Sequence, residues 1–241
     1  MLNCIRQALF YVDIVGHYFS SGREYLSEKP GYESTMSKRI PKTIHYCWFG
    51  RGEMNSKIKQ CMKSWQEKLP DYEFKLWNED NFPMEDYPFA QKALDDGKWA
   101  FVSDVARLHA LYYYGGIYMD TDVEVLRSFD DLLENDFFAS FESKRHASIG
   151  TAGAKKGNRY IKFLLGWYKN RKLGKIYYDM ANTRIVTKLT QLYCGLKRNG
   201  EMQHFRDGVF YSRDYFIPER QGNCWKVTDN TYCIHHFTKE W

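Results

Sequence analysis

The sequence predicts an α/β fold, and two observations carry that expectation. Residues 43–126 read as strand, helix, strand, helix, strand, the order in which helices come to cover a sheet. The composition also supplies a core, with 44% hydrophobic and 17% aromatic residues among 241. Such a chain buries enough apolar surface to offset its ordering entropy, so wholesale disorder is excluded. At roughly 150 residues per domain, the length fits one large domain, with or without an appendage.

The N-terminal part is expected to be that appendage: residues 1–37 form a helical extension and linker, and residues 38–241 a single domain. Within Met1–Phe19, Ile5, Leu9, Val12 and Phe19 fall near one helical face. Its most apolar run, Ala8–Phe19, contains Asp13, Gly16 and His17, is too short to span a bilayer and lacks the basic start and cleavage site of a signal peptide. It reads as a helix docked on the domain, or as a weak interfacial anchor. Ser20–Ser37 is rich in Gly, Ser, Glu and Lys and reads as the linker, with Met36 an alternative start.

Thr43–Phe49 is β-rich, ends at Gly50 and reads as a buried strand. Asn55–Leu69 carries Ile58, Cys61, Met62, Trp65 and Leu69 at helical spacing. After the Pro70-Asp71 turn, Tyr72–Trp77 alternates as a second strand. Asn78–Pro88 is polar loop and Phe89–Asp96 a short helix. Ser103 is suited to cap a helix reaching Tyr114, with Val102, Val105, Ala106, His109 and Tyr113 on its core face. Gly115-Gly116 ends it, because glycine takes the left-handed cap conformation without a Cβ clash. Ile117–Leu126 then reads as one strand. Beyond Phe137 the pattern fades. Tyr160–Asn170 and Asn182–Leu196 look helical, and Tyr232–Phe237 looks like a short strand.

Charge and cysteines narrow the function. Lys plus Arg number 35 against 30 Asp plus Glu, a net charge of +5. That balance suits an anionic small ligand or membrane surface and falls short of a nucleic-acid-binding signature. The six cysteines are scattered with no Cys-x-x-Cys pair, which argues against zinc ribbons and fits a reducing cytoplasm.

Four stretches carry chemistry. Asp120-Thr121-Asp122 follows an apolar strand. On extended backbone residues i and i+2 point the same way, so two carboxylates converge and repel unless a cation lies between them. Hard divalent ions favour such oxygen donors, and Mg²⁺ or Mn²⁺ there would also grip a diphosphate. Asp104 and Arg107 share a helix face at i, i+3, and a cap at Ser103 would put them on the first turn, beside free N–H groups suited to phosphate. Arg suits phosphate oxygens and Asp suits sugar hydroxyls. His235-His236 could add a nitrogen ligand, tilting the choice toward Mn²⁺. Trp48, leaving the first strand, could stack on a flat base. Taken alone, each has an ordinary structural reading: a solvated turn, a local ion pair, a surface His pair, a core Trp.

Together they resemble a known family. The run Ser103–Asp122, SDVARLHALYYYGGIYMDTD, closely resembles the signature of the DXD-containing sugar transferases that include yeast initiating mannosyltransferases and bacterial capsular-polysaccharide transferases. The glucosylating domain of the large clostridial toxins is a more distant relative. Ile40–Gly50 looks like the family's first strand, and the His-His…Trp ending looks like theirs, with Glu240 where many relatives carry Ser. The resemblance implies a GT-A-type nucleotide-sugar-binding fold with a mixed central sheet. It implies that Trp48 stacks on the base and that Asp104 and Arg107 hold the donor sugar or phosphate. Gly116, Tyr118 and Asp120 would line the nucleotide-sugar site, Asp120 and Asp122 would bind Mn²⁺ or Mg²⁺, His235 or His236 would complete the metal site, and Trp241 would close over it. The implied activity is transfer of a hexose from a UDP- or GDP-sugar to a glycan or lipid-linked glycan, with retention, in capsular or cell-surface polysaccharide synthesis. The expected setting is the cytoplasm, with residues 1–19 able to touch the inner membrane face.

Two other classes compete. Asp-Thr-Asp-Val is also similar to the first motif of haloacid-dehalogenase-like phosphatases, but Glu124 stands where those need Thr or Val, and the motif does not end the first strand. A non-catalytic nucleotide-sugar or carbohydrate binding protein derived from a transferase is the other alternative; the intact Asp104, Arg107, Asp120 and Asp122 argue against it.

Overall fold

A computed structural model describes residues 39–169 and 181–238. The extension expected at 1–37 and Trp241 lie outside the described residues. A seven-stranded mixed sheet organises the described chain, with strand order β2-β1-β3-β6-β5-β8-β7. Its strands are β1 (Thr43–Cys47), β2 (Glu73–Trp77), β3 (Gly116–Met119), β5 (Phe137–Ser143), β6 (His146–Ala154), β7 (Gln203–Phe205) and β8 (Gly208–Tyr211). β1 runs parallel to both β2 and β3, and β6 is antiparallel to β3 and β5. β4 (Val123–Val125) pairs antiparallel with β11 (Cys233–His235), and β9 (Arg220–Gln221) with β10 (Cys224–Trp225).

The helices are α1 (Ser56–Lys68), α2 (Pro88–Asp95), α3 (Trp99–Tyr113), α4 (Arg159–Lys169) and α5 (Asn182–Cys194). The expected α/β class and mixed sheet are therefore present. α1 begins where Asn55 accepts a hydrogen bond from Ile58 N–H, and it buries Ile58, Cys61 and Trp65. Trp65 lies in a core with Ile44, Leu69, Ile117, Phe129 and Phe216. Its indole N–H donates to Val123 O at 2.6 Å, and Ser64 Oγ accepts from Val125 N at 2.9 Å. α1 therefore clamps β4, the strand directly after the acidic pair.

Three local expectations change. α3 starts at Trp99, so Ser103 is interior; its hydroxyl donates back to Trp99 O at 3.2 Å instead of capping. Apolar Trp99-Ala-Phe-Val carries the helix a turn further back than the Ser signal suggested. Asp104 and Arg107 accordingly sit in the helix body, away from the free N–H groups of the first turn. Tyr113 is 43% exposed rather than on the core face. The expected Ile117–Leu126 strand is two strands, because Asp120–Asp122 forms a turn in which Val123 N–H donates to Asp120 O at 3.1 Å. The glycine stop holds: Gly115 takes φ +71° and Gly116 φ +100°. At Gly116 a Cβ would lie 2.6 Å from Thr43 O, so only glycine lets β3 approach β1 there.

Candidate active site

β1 and β3 are parallel neighbours, so residues following each emerge at the same edge of the sheet. Trp48 follows β1 and Asp120 follows β3. Crevices at the carboxyl ends of parallel strands are where open α/β sheets bind ligands. β6 runs the opposite way, so its Met119↔Thr151 pairing brings Gly150 to the same edge, where Asp120 N–H donates to Gly150 O at 2.8 Å.

Asp120 is held from three sides. Tyr118 O–H donates to its Oδ1 at 2.9 Å, and Arg107 Nη2 lies 3.2 Å from the same oxygen. Gly150 abuts its other oxygen: a Cβ there would lie 2.6 Å from Asp120 Oδ2 and 3.1 Å from His235 Cε1. Arg107 Nη2 is also 3.2 Å from Asp104 Oδ1, and its Nε and Nη1 donate to Ser103 O and Ile149 O. The guanidinium caps the Tyr118 ring at 4.6 Å. Arg107, Asp104 and Asp120 are all buried, so this is a desolvated network in which one cation is shared by two carboxylates.

The turn itself is closed by the C-terminal segment. Pairing of β11 on β4 sets His235 opposite Val123. His235 Nε2 then lies 3.1 Å from Asp122 Oδ1 and 3.8 Å from Asp120 Oδ2. The Asp122 carboxylate's other oxygen accepts from Thr238 N–H at 2.8 Å and the Thr238 hydroxyl at 3.2 Å. The two carboxylates thus converge through the turn and this strand pair, in place of the expected i, i+2 alternation on one strand. Burial alone would raise the Asp122 carboxyl, but His235 and Thr238 outweigh it and hold its pKa at about 2. Burial would lower the His235 imidazole, yet Asp122, Asp120 and Glu142 carry it above its usual value. Next to it, Phe237 stacks on the His235 ring at 4.0 Å and takes φ +52°, a left-handed conformation uncommon for a bulky residue.

The donor set suits a divalent cation. Asp122 Oδ1 and both His235 ring nitrogens are buried with no hydrogen-bond partner, the 3.1 Å approach between them being misaligned for one. Unsatisfied buried carboxylate and imidazole atoms side by side are what a Mg²⁺- or Mn²⁺-type ion would satisfy. Among the described residues, no group of three or more His, Cys, Asp or Glu side chains is arranged to hold a metal ion by itself. An ion here would need further oxygen donors from its ligand, as a diphosphate provides.

The remaining expected residues divide. Trp48 is half-buried at the strand edge, and its indole N–H donates to Gly52 O at 2.7 Å. Tyr118 is fully buried and supports Asp120. Gly116 packs inside the sheet between Thr43 and His45, so the structure does not bring it to the acidic edge. His236 is turned outward: its Nε2 pairs with Glu124 at 2.8 Å and its ring meets Trp225. Consecutive residues on extended backbone face opposite sides, and His235 has the inner one. Sequence reasoning missed Gly150, Glu142 and Asn182. Glu142, raised by burial, interacts with His235 and Asp120, and Asn182 Nδ2 donates to Asp104 Oδ1.

The α/β sheet thus presents a histidine-clasped acidic turn at its edge. Residues 55–139 match the family described as "Glycosyltransferase sugar-binding region containing DXD motif". Among curated relatives, Inositol phosphoceramide mannosyltransferase 3 of Schizosaccharomyces pombe is 34% identical over 132 residues, 53% of this chain and 37% of that protein. Mannosyl phosphorylinositol ceramide synthase SUR1 of Saccharomyces cerevisiae is 30% identical over 209 residues, 79% of this chain and 53% of that protein. The chain thus spans between about a third and a half of these relatives. The solved PaToxG Glycosyltransferase superposes with a TM-score of 0.51 at 17% identity, covering 78% of this chain and 79% of that one, a likeness of fold.

Proposed function

We propose that the protein transfers a hexose from a UDP- or GDP-sugar to a glycan or lipid-linked glycan acceptor, with Mn²⁺ or Mg²⁺ and with retention at the anomeric carbon. The observation that carries this reading is the convergence of Asp120, Asp122 and His235 at the strand edge beside the buried Asp104–Arg107 pair. A bound divalent ion would offset the negative charge that develops on the departing nucleoside diphosphate. Asp122 and His235 would hold it, with Asp120 beside them. The residues of the chain do the positioning. Trp48 offers an indole to the base, and Asp104 offers carboxylate oxygens to sugar hydroxyls. Arg107 pairs with Asp104 and Asp120 and holds them in place, and its positive charge would help offset the developing anion.

The acceptor is inferred from the names of the relatives. The yeast relatives carry names that put mannose on an inositol phosphoceramide, so a nucleotide-activated mannose heads the donors to test and a membrane glycolipid heads the acceptors. Capsular or cell-surface polysaccharide precursors belong to the same class of acceptor. Work at the inner membrane face, with residues 1–19 in contact with lipid, completes the proposal.

The test incubates the protein with Mn²⁺ and a panel of UDP- and GDP-hexoses and measures nucleoside diphosphate release, beside an Asp122→Ala control. Slow hydrolysis of one donor, absent in the control, supports the reading and names the sugar. Silence across the panel, together with no cation-dependent nucleotide binding by thermal shift, rejects it. The anomeric configuration of a product, read by NMR, tests retention.

A further inference from the structure

The hairpin joining β5 to β6 carries Lys144, Arg145 and His146, and two other elements are fastened to it. Ser143 Oγ shapes its turn by accepting from the Arg145 and His146 backbone N–H groups at 3.3 and 3.2 Å. The loop after α5 packs on that turn: Arg198 Nε donates to Arg145 O at 2.9 Å, and a Cβ at Gly200 would lie 2.9 Å from Lys144 Cα. Gln203 staples the loop by bonding both Lys197 N–H and Lys197 O at 2.8 Å. α5 is fixed to the same hairpin, since Ala147 N–H donates to Thr187 Oγ1 at 2.9 Å. Arg184 and Lys188 stand at i, i+4 on α5 and so share a face. Leu192, one turn further on, is 39% exposed, and Met202 in the loop is 49% exposed.

These cations are close enough to repel one another. After burial, Arg198, Arg184 and Arg145 push the His146 imidazole below its usual pKa, and Arg198 and Arg184 do the same to Lys188. Among the described residues, no carboxylate forms an ion pair with Arg145, Arg184 or Arg198. Like charges held together by the fold without a counter-charge suit a polyanionic surface. The place matters as well. His146 lies four strand residues before Gly150, so the hairpin tip stands roughly 13 Å beyond the acidic edge. Exposed Leu192 and Met202 among the cations favour a bilayer over a nucleic acid, because apolar side chains gain by entering the headgroup layer beside the charges. We propose that this basic face, Arg145, Arg184 and Arg198 with Leu192 beside them, docks the protein on a membrane surface rich in anionic phospholipid. The docking stands apart from the transferase reading. Only its consequence, that the acidic edge meets an acceptor held in the same membrane, rests on that reading.

The test is co-sedimentation of the full chain with vesicles of phosphatidylcholine alone or of phosphatidylcholine mixed with phosphatidylglycerol, at low and high salt. Wild type is expected to bind the mixed vesicles at low salt, to leave them at high salt, and to bind the neutral ones little. Arg145→Gln/Arg184→Gln/Arg198→Gln is expected to bind the mixed vesicles at least about tenfold more weakly, since each surface arginine contributes about fivefold. Arg145→Lys/Arg184→Lys/Arg198→Lys keeps the charge and should bind within about threefold of wild type. Lys59→Gln/Lys63→Gln/Lys68→Gln removes three charges from exposed positions of α1 and should change binding less than about twofold. Melting curves check each fold, and single glutamine variants, each expected to lose about fivefold, replace the triple one if it melts early. No preference for the anionic vesicles, wild-type binding by the glutamine variants, an equal loss in the α1 control, or tighter binding to duplex DNA than to vesicles would overturn the proposal. The assay contains no nucleotide, so failed docking leaves the transferase reading standing, and a failed nucleotide assay leaves the docking.

Discussion

Gly150→Ala is the sharpest small perturbation available in this molecule. The added methyl would lie 2.6 Å from Asp120 Oδ2 and 3.1 Å from His235 Cε1, against 3.4 Å for ordinary contact. The Asp120 carboxylate must therefore move by about 0.8 Å or more. It cannot do so alone, because Tyr118 and Arg107 grip its other oxygen. Displacements near 1 Å in a preorganised site cost on the order of 10²-fold in rate. Gly150 lies in β6, with no positive φ to forfeit. The fold should survive, and alanine is no worse than glycine in strand backbone. The assay is nucleoside diphosphate release from the preferred donor, with a Mn²⁺ titration and a melting curve on the same sample. The expected result is a rate drop of about 10²-fold, a weaker apparent affinity for Mn²⁺ and a melting temperature within a few degrees of wild type. Wild-type rate and wild-type Mn²⁺ dependence in Gly150→Ala would refute the claim that the Asp120 carboxylate is confined where it acts.

Other outcomes follow from the same contacts. His235→Ala should remove cation-dependent nucleotide binding, whereas His236→Ala, which loses an outward pair with Glu124, should change it less than about threefold; equal effects would contradict the assignment. Arg107→Lys should keep one charge but lose the fork shared by Asp104 and Asp120, lowering donor turnover at least tenfold by the kinetics of nucleoside diphosphate release. His45 makes the fold acid-sensitive. Burial lowers its pKa to about 4 against the upward pull of the Nε2 bond to Gly115 O, while Nδ1 accepts from Trp77 N–H. Its folded pKa is below the unfolded value of 6.5, so the unfolded chain binds the extra proton first. The stability is full above pH ~6.5 and is lost as pH falls toward 4, on the order of 3 kcal/mol. The gap between urea midpoints at pH 7 and pH 4.5 should narrow in His45→Gln, whose amide can donate and accept as the neutral ring does, with His109, which burial also lowers to about 4, keeping part of it; an unchanged gap would reject the cause.

The legible part of the sequence was the part with strong local periodicity. α1 and α5 have Ile, Leu and aromatic residues at helical spacing, and Gly115-Gly116 marks a stop that only glycine satisfies. The acidic turn could be found because two aspartates follow a fully apolar run. β5 and β6 were not legible. The sequence of β6, HASIGTAGA, is buried along nearly its whole length on both faces, so it shows no alternation. Its small residues answer to neighbours distant in sequence: a Cβ at Gly153 would lie 2.3 Å from Phe138. Gly150 is hidden for the same reason, since its purpose appears only when Asp120 and His235 lie against it. Asn182 and Glu142 are single polar residues with no local motif, and only the pairing of distant elements makes them part of the site. The early start of α3 escaped because Ser103 is a good capping residue by type, yet its hydroxyl bonds backward within the helix.

The central claim is that the Asp120–Asp122 turn, clasped by His235, seats a cation together with a nucleoside diphosphate. Isothermal titration of UDP and GDP into wild type and Asp122→Asn, with Mn²⁺ and with EDTA, tests it most directly. Wild type is expected to bind in Mn²⁺ only, Asp122→Asn to bind at least about tenfold more weakly, and both proteins to melt cooperatively. Binding of equal strength in EDTA, or unchanged by Asp122→Asn, would contradict it.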